Sequence, residues 1–460
     1  MEREAITYKD LVMTVGDAAV PVISLEIQEG MNQHGLLGLT AVAEQETKEY
    51  LLYEGEGSVF LYALLEEEPQ CLFSGIVLHM EVSGDGGLFF IHIQAVTNSW
   101  LLDFKKFHVS YQDMAMTSHA LLLKALEPYP GVELLISVPD VPVGQMMMQY
   151  QETGWEFLKR FLSHYGACLY TDSASGRIRL YAGLSGEEMG VEWEGMPYLI
   201  YRNLALKGRT GKAQAVYQVN ACEILPLGSR VVFQGQELFV GGIVRSLEDG
   251  LLVNQYSLYF AEGLEIKKYH NPLLAGVSVF GTVTGVQRDR VRVRMVTDAS
   301  GTWQDAFYFP YSTVAASPDG SGWYCMPKAG DSVRIFFPEK DEKEGYAVSS
   351  ILGQVSRSGG NPDRKNITTP DQKTVQFIDG GILLAVRDGK GSVKLLNNGM
   401  AEIRSDTGIR LGAASTGAIQ AGGKVTLKAG TKVRLQGLQD SISMEEGKIV
   451  MDGWRILSNS

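Results

Sequence analysis

The sequence predicts a mainly β protein: a β-barrel body with a few helices, a small barrel, and a C-terminal trimeric β-helix of octad repeats. Three observations carry this. Alternating apolar runs separated by Gly, Asp and Asn turns fill most of the first 350 residues. Helical spacing is clear in only two stretches. From Val393 the chain falls into octads without insertion, VKLLNNGM, AEIRSDTG, IRLGAAST, GAIQAGGK, VTLKAGTK, VRLQGLQD, SISMEEGK and IVMDGWRI, then LSNS.

Residues 1–270 read as one β-rich body. Strands are expected at Ala19–Ile27, Ser58–Ala63, Cys71–Glu81 and Leu88–Ala95, and Ser83-Gly84-Asp85-Gly86-Gly87 reads as a hairpin loop. A helix from about Ala115 to Leu126 is stopped by Pro128 and Pro130. A second follows Thr153-Gly154-Trp155-Glu156, a T-x-x-E capping box. Trp155, Leu158, Phe161, Leu162 and Tyr165 mark its apolar face, and Gly166 its end. Strands resume at Ala167–Tyr170 and Arg177–Tyr181. They continue to about Phe260 through Ala215–Cys222, Arg230–Phe233 and Glu237–Val244.

A boundary is expected near His270-Asn271-Pro272. Residues 271–355 hold five short strands, among them Val277–Val286, Arg290–Met295, Ser332–Phe337 and Tyr346–Leu352, which suggests a small closed barrel of the OB type. A polar linker, 356–373, carries Gly359, Gly360, Asn361, Pro362 and Pro370. Residues 374–460 form the rod, with 374–392 a less regular β lead-in.

In the octads, positions one and three are mostly small or branched apolar residues: Val393 and Leu395, Ala401 and Ile403, Ile409 and Leu411, Val425 and Leu427, Val433 and Leu435. Residues two apart share one face of a strand, and glycines recur in the second half of the units, where the chain must bend. An octad spans about 26 Å when extended, one short strand and a corner. Its edges would carry unpaired N–H and C=O groups. A single-chain solenoid should show a super-period of 16 or 24 residues, and none is evident. Three chains round one axis would pair every edge. Charge differs between the parts. The chain carries −12 overall; residues 373–460 hold 12 Lys/Arg against 8 Asp/Glu, +4, so the first 372 carry −16. An acidic body argues against a nucleic-acid partner.

In order, these parts resemble a known family. Gln149-Tyr150-Gln151-Glu152 followed by Phe157-Leu158-Lys159-Arg160 resembles the helix motif in the hub domain of VgrG and phage tail hub proteins. Gly281, Val291, Gly322-Trp323, Pro327 and Gly330-Asp331 resemble the motif of the OB domain that follows that hub. The octads complete the order. The family is the central spike of contractile injection systems, of phage-tail-like or type VI secretion type. The resemblance implies a non-enzymatic homotrimer whose two tube-like modules per chain make a pseudo-sixfold ring. On that ring an inner-tube hexamer stacks. The spike sits among baseplate proteins and punctures the target envelope on sheath contraction. A tip-capping protein or cargo at the needle end is a further partner class. A trimeric tail fibre or adhesin with a β-helical stalk is the alternative.

Departures from relatives shape the expectation. About 20 residues separate the small barrel from the rod, too few for the lysozyme domain of some phage relatives. The chain stops four residues into the ninth octad, without a toxin. All seven histidines precede residue 271, so none sits at a needle tip. No cofactor or metal is expected. The charged start, MEREAITYKD, is not expected to act as a signal peptide, and no apolar run approaches the ~18–20 residues of a membrane span. Synthesis in the cytoplasm and delivery by the machine are expected.

Catalytic readings are weak. Glu152 and Glu156 lie four apart, but capping accounts for Glu156. His164 reads as a packing residue rather than a base, and Ser321-Gly322 lacks the context of a hydrolase elbow. Trp303, Trp323 and Phe309 are expected in the small barrel's core rather than stacking bases. Cys71, Cys168, Cys222 and Cys325, far apart, are expected as buried free thiols. Met146-Met147-Met148 suits an adaptable surface or a strand-edge core position. Gly417–Gly423 keeps the octad phase and reads as a thin layer of the needle.

Overall fold

Six N-terminal strands close on themselves. In the computed structural model these are β1 (Leu11–Val15), β2 (Ala18–Gly30), β3 (Leu36–Ala43), β4 (Ser58–Ala63), β5 (Gln70–Asp85) and β6 (Leu88–Thr97). The structure describes residues 5–53, 57–65, 68–191, 193, 195–202, 215–299, 306–319, 321–349 and 365–457. The order β1-β4-β5-β6-β3-β2 returns to β1 through antiparallel β1–β2 pairs such as Met13↔Val20. Closure leaves no open edge in the ring. Alternate residues, among them Leu11, Met13, Ile27, Leu39, Leu61, Phe73 and Ile93, fill its interior. The expected β5–β6 hairpin is present. Asp85 pairs with Leu88 across Gly86 and Gly87, with φ of +59° and +89°. Two positive φ values in a two-residue loop suit the twist of the flanking strands and favour glycine. Helix α1 (Gln45–Tyr53), which has no strong apolar periodicity, was not foreseen.

A second module follows. β7 (Phe107–Tyr111) pairs with β9 (Met147–Glu152), and β8 (Glu133–Ile136) pairs parallel with β11 (Arg179–Ala182), which also takes β10 (Leu169–Thr171). Helices α2 (Ser118–Leu126) and α3 (Gly154–Ser163) pack on them around Trp155, Phe157, Phe161 and Leu122. Both helices fall where helical spacing placed them. A further sheet comprises β12 (Tyr198–Arg202), β13 (Ala215–Ala221), β14 (Arg230–Phe233), β15 (Gln236–Glu248) and β16 (Leu251–Tyr259). It is continuous with the first ring because β15 pairs with β2. At that seam the buried Arg245 guanidinium meets the buried Glu29 carboxylate and also donates to the Leu225 carbonyl at 2.9 Å.

The small barrel comprises β17 (Ser278–Gln287), β18 (Arg290–Met295), β19 (Tyr308–Pro310), β20 (Ser332–Phe336) and β21 (Tyr346–Val348). Their order is β19-β18-β17-β20-β21, and a parallel bridge, Tyr311↔Ala347, joins the two ends. Phe309, Val291, Val293, Val333, Ile335 and Phe337 fill its interior. Phe309 is in the core as expected. Trp323 is not: it is 47% exposed, because its segment runs outside the barrel wall, bridging Gly322 to Ala316. Trp303 lies outside the described residues. Two thiols also depart from expectation, since Cys222 and Cys325 are exposed and only Cys168 is fully buried.

Residues 1–354 form one compact unit and 355–460 another. In the second, β22 (Lys365–Thr368), β23 (Thr374–Ile378), β24 (Gly381–Val386), β25 (Gly391–Leu396) and β26 (Ala401–Ser405) make an antiparallel meander. β27 (Lys432–Gln436), β28 (Ser441–Glu445) and β29 (Lys448–Asp452) make a second. β22 falls in the segment read as a linker; residues 356–364 lie outside the described residues. The octad phase survives as strand plus turn at both ends of the repeat. The pairing differs from the sequence expectation of one strand per layer paired by neighbouring chains. Val393 pairs with Ile403 and Leu395 with Ala401 in a hairpin of the same chain. A hairpin satisfies backbone groups locally when no other chain is present. The middle octads, 409–431, including Gly417–Gly423, form no strand in the single chain.

Candidate functional site

The Gln149–Arg160 segment on β9 and α3 builds a buried charge cluster. Thr153 caps α3 as expected: its hydroxyl accepts from the Glu156 amide at 3.1 Å, and Glu156 accepts from the Thr153 amide at 2.9 Å. Glu156 is therefore a capping group. The same turn carries Arg160 inward, where its side chain is fully buried. Its Nε and Nη2 donate to the two Glu152 oxygens at 2.6 and 2.8 Å, and Nη2 also donates to the Met148 carbonyl at 2.8 Å. Nη1 donates to Glu342 Oε1 at 2.8 Å. Burial opposes the charge on Arg160, but Glu342 and Glu152 outweigh it and hold the guanidinium protonated.

The other motif residues support this cluster. Gln149 Nε2 donates to the carbonyls of Glu152 and Thr153 at 3.1 and 3.0 Å, bracing the strand-to-helix turn. The Tyr150 carbonyl accepts from Asn271 at 2.7 Å, and its ring meets His108 edge-on. Phe157 stacks on Tyr111, and Leu158 is buried beside it. Glu342 was missed by sequence reasoning. It follows Asp341 in a short turn between β20 and β21, with no local pattern to mark it.

The three methionines divide between two interiors. Alternation along β9 sends Met147 into the core of the helical module, and Met146 and Met148 into that of the small barrel. The core reading of these residues is therefore the one observed. The expected boundary at residue 270 is a packed junction, in which Asn271 also caps the turn Pro272–Leu274.

In the small-barrel motif, Gly281 lies where a Cβ would collide with the Val293 side chain and come within 2.7 Å of the Arg294 carbonyl. Val291 is a core residue. Pro327 is buried, and Gly330 and Asp331 form the entry to β20. The Gly330 amide donates to the Val283 carbonyl, and Asp331 accepts from the Lys328 amide.

Two histidines are packed against neighbouring side chains. His164 is largely buried, and its pKa is pushed down to about 3 by burial, with Lys268 and Arg160 adding to the effect. It is neutral at physiological pH. His34 bridges Ser99 at 2.7 Å and Asp103 at 2.9 Å beneath Trp155. Asp103 also accepts from the Thr153 hydroxyl. Burial raises its pKa, but hydrogen bonds from His34 and Thr153 outweigh that and leave it lowered.

A component of the type VI secretion system of E. coli, described as structurally similar to the T4 bacteriophage tail proteins gp27 and gp5, superposes with a TM-score of 0.50. It is 14% identical, over 74% of this chain and 99% of that one. The Francisella PdpA–VgrG complex, half-lidded, matches with a TM-score of 0.55 at 8% identity, over 88% of each chain. A lidless PdpA–VgrG complex gives 0.54 at 8% identity, over 88% of this chain and 98% of that one. The chain has a VgrG-like fold. No family model and no curated protein sequence matches it.

The apolar octad positions of this VgrG-like chain are uncovered. Strand register places Phe377, Ile382, Leu395 and Ala401 in one row and Val375, Leu384, Val393 and Ile403 in the next, on one face of the first meander. Val433, Leu435, Ile442, Met444, Ile449 and Met451 repeat the arrangement in the second. Ile409, Leu411, Val425 and Leu427 lie between them, with Leu411 80% and Leu427 63% exposed. Among the described residues, no apolar side chain after Ala347 is buried.

Proposed function

We propose that this chain is the non-enzymatic, homotrimeric hub and spike of a contractile injection system. It would cap the inner tube and puncture the target envelope when the sheath contracts. The observation that carries this is the C-terminal unit, which buries no apolar side chain among its described residues. A soluble chain rarely leaves contiguous apolar rows open over such a length, and such rows mark a surface that another chain covers. Their octad spacing presents the same small apolar face again and again. Two further copies of the same repeat meet that requirement by symmetry, each apolar row covered by its equivalents. In the trimer the hairpin strands of the single chain exchange into a closed β-helix with no edge to fray, suited to transmitting force.

The first unit supports the other half of the reading. A closed barrel and a second sheet continuous with it provide two tube-like modules per chain. Three chains would present six, matching a hexameric inner tube. The five-stranded barrel with its parallel closing bridge has the order of an OB fold, and would act as the collar. Fold likeness to VgrG and tail proteins supports baseplate neighbours and a place in a tail or secretion particle. The Francisella VgrG is found in complex with PdpA, so a cargo or capping protein is a further candidate partner.

Sedimentation of the full-length chain tests the proposal. A three-copy particle is expected at micromolar concentration, with no stably folded monomer of the octad region. A well-folded single copy with its tail wound on itself would overturn it. Purified protein incubated with cell walls should release neither sugar nor peptide.

A further inference from the structure

Beside the Arg160 cluster the charges do not balance. Arg160 is one cation facing two buried carboxylates, Glu152 and Glu342. Glu342 uses Oε1 for the Arg160 guanidinium and the Met148 amide. Its Oε2 is buried and has no hydrogen-bond partner among the described residues. His270 Nδ1 is likewise buried and without a hydrogen-bond partner, 3.9 Å from that oxygen. Asp341 completes a group whose ligand atoms lie within 4.8 Å of one another. An uncompensated buried carboxylate is costly, and a cation or a new donor is what such a site lacks.

We propose that His270, Asp341 and Glu342 bind a divalent cation of the zinc class. The donor set decides the class: an imidazole with two carboxylates suits zinc better than calcium or magnesium, which prefer oxygen alone. Zinc bonds of about 2.0–2.1 Å put tetrahedral ligand atoms roughly 3.3 Å apart. Closing the His270–Glu342 gap from 3.9 Å therefore needs well under an ångström. Asp341 must exchange an exposed partner, Lys343 Nζ at 3.2 Å, which is a weak surface pair. His164, with its ring centroid 5.5 Å from that of His270, adds another buried nitrogen, Nε2, which has no hydrogen-bond partner among the described residues. The ion would tie the end of the β-rich body, through His270, to the β20–β21 turn of the small barrel. Sequence spacing hid the group because His270 lies 71 positions before the adjacent Asp341 and Glu342, in no metal-binding pattern.

The test uses the full-length chain without a histidine tag, stripped with a chelator and then equilibrated with zinc chloride. Elemental analysis should find about one zinc per chain, and zinc should raise the thermal midpoint. His270→Ala, folded by circular dichroism, should lose both effects. Its fall in zinc affinity should exceed the roughly 10–100-fold that residues supporting a metal site cost. Asp341→Asn, on the exposed side, should weaken binding without unfolding the chain. Folded wild type that retains no zinc, or His270→Ala that retains as much as wild type, would overturn the proposal.

Discussion

Arg160 and Glu342 are 182 residues apart in the chain and 2.8 Å apart in space. One stands on the helix of the body, the other on a turn of the small barrel. Their contact, inside the shared interior that Met146 and Met148 complete, makes the two parts one unit. Arg160→Met should therefore destabilise the first unit by about 3–5 kcal/mol, because it strands two buried carboxylates. Thermal or urea unfolding of the full chain measures this. A loss below about 1 kcal/mol would mean that the cluster is solvated and not a clamp.

Met148 supplies side-chain volume to the small barrel. Met148→Ala should cost about 2–5 kcal/mol while leaving its carbonyl free to accept from Arg160. The fragment 271–354 alone lacks Met146 and Met148 altogether. It is expected to bind a hydrophobic dye and to give poorly dispersed amide NMR signals. Sharp dispersion from that fragment would show that the barrel's core is sufficient without the body.

Asp103 links stability to pH. Its pKa is lowered in the folded chain, so its stabilisation is present above the unfolded value of about 3.9 and is lost as pH falls through the folded value. Wild type should lose urea resistance on acidification from pH 5 toward about pH 3. Asp103→Asn should start less stable at pH 7 and lose less over that interval. Equal acid sensitivity in both proteins would remove Asp103 from the account.

The octads make the strongest statement about assembly. Leu427→Asp or Leu435→Asp would bury a charge in the proposed trimer, costing several kcal/mol per chain. Sedimentation should show the three-copy particle lost, with the first unit still folded by near-ultraviolet circular dichroism. An intact trimer carrying either substitution would place these side chains away from the shared interior.

Much of the fold was legible in the chain because its signals are short-range. Thr153 and Glu156 are three residues apart, Gly86 and Gly87 are adjacent, and the octad repeats itself. Each specifies its contact within one turn of backbone. Strand alternation likewise marked Ser58–Ala63, Arg230–Phe233 and Arg290–Met295 at the observed bounds. Helix α1 had no such pattern and was missed. The candidate site was half visible: Arg160 and Glu152 belong to one motif, while Glu342 announces itself by nothing nearby.

By itself, then, the sequence determined many of the strands, though not β1, β3, β7 or β8, together with two well-marked helices and a tail that repeats with period eight, since hydrogen bonding and steric preference along a few residues settle those. Only the tertiary structure decided that β1 closes on β2, that β9 serves two interiors at once, that Trp323 lies outside the barrel it was assigned to, and that Arg160 meets Glu342. These outcomes depend on register and on where distant segments pack, and a residue cannot encode in its neighbours a contact whose other half lies far along the chain.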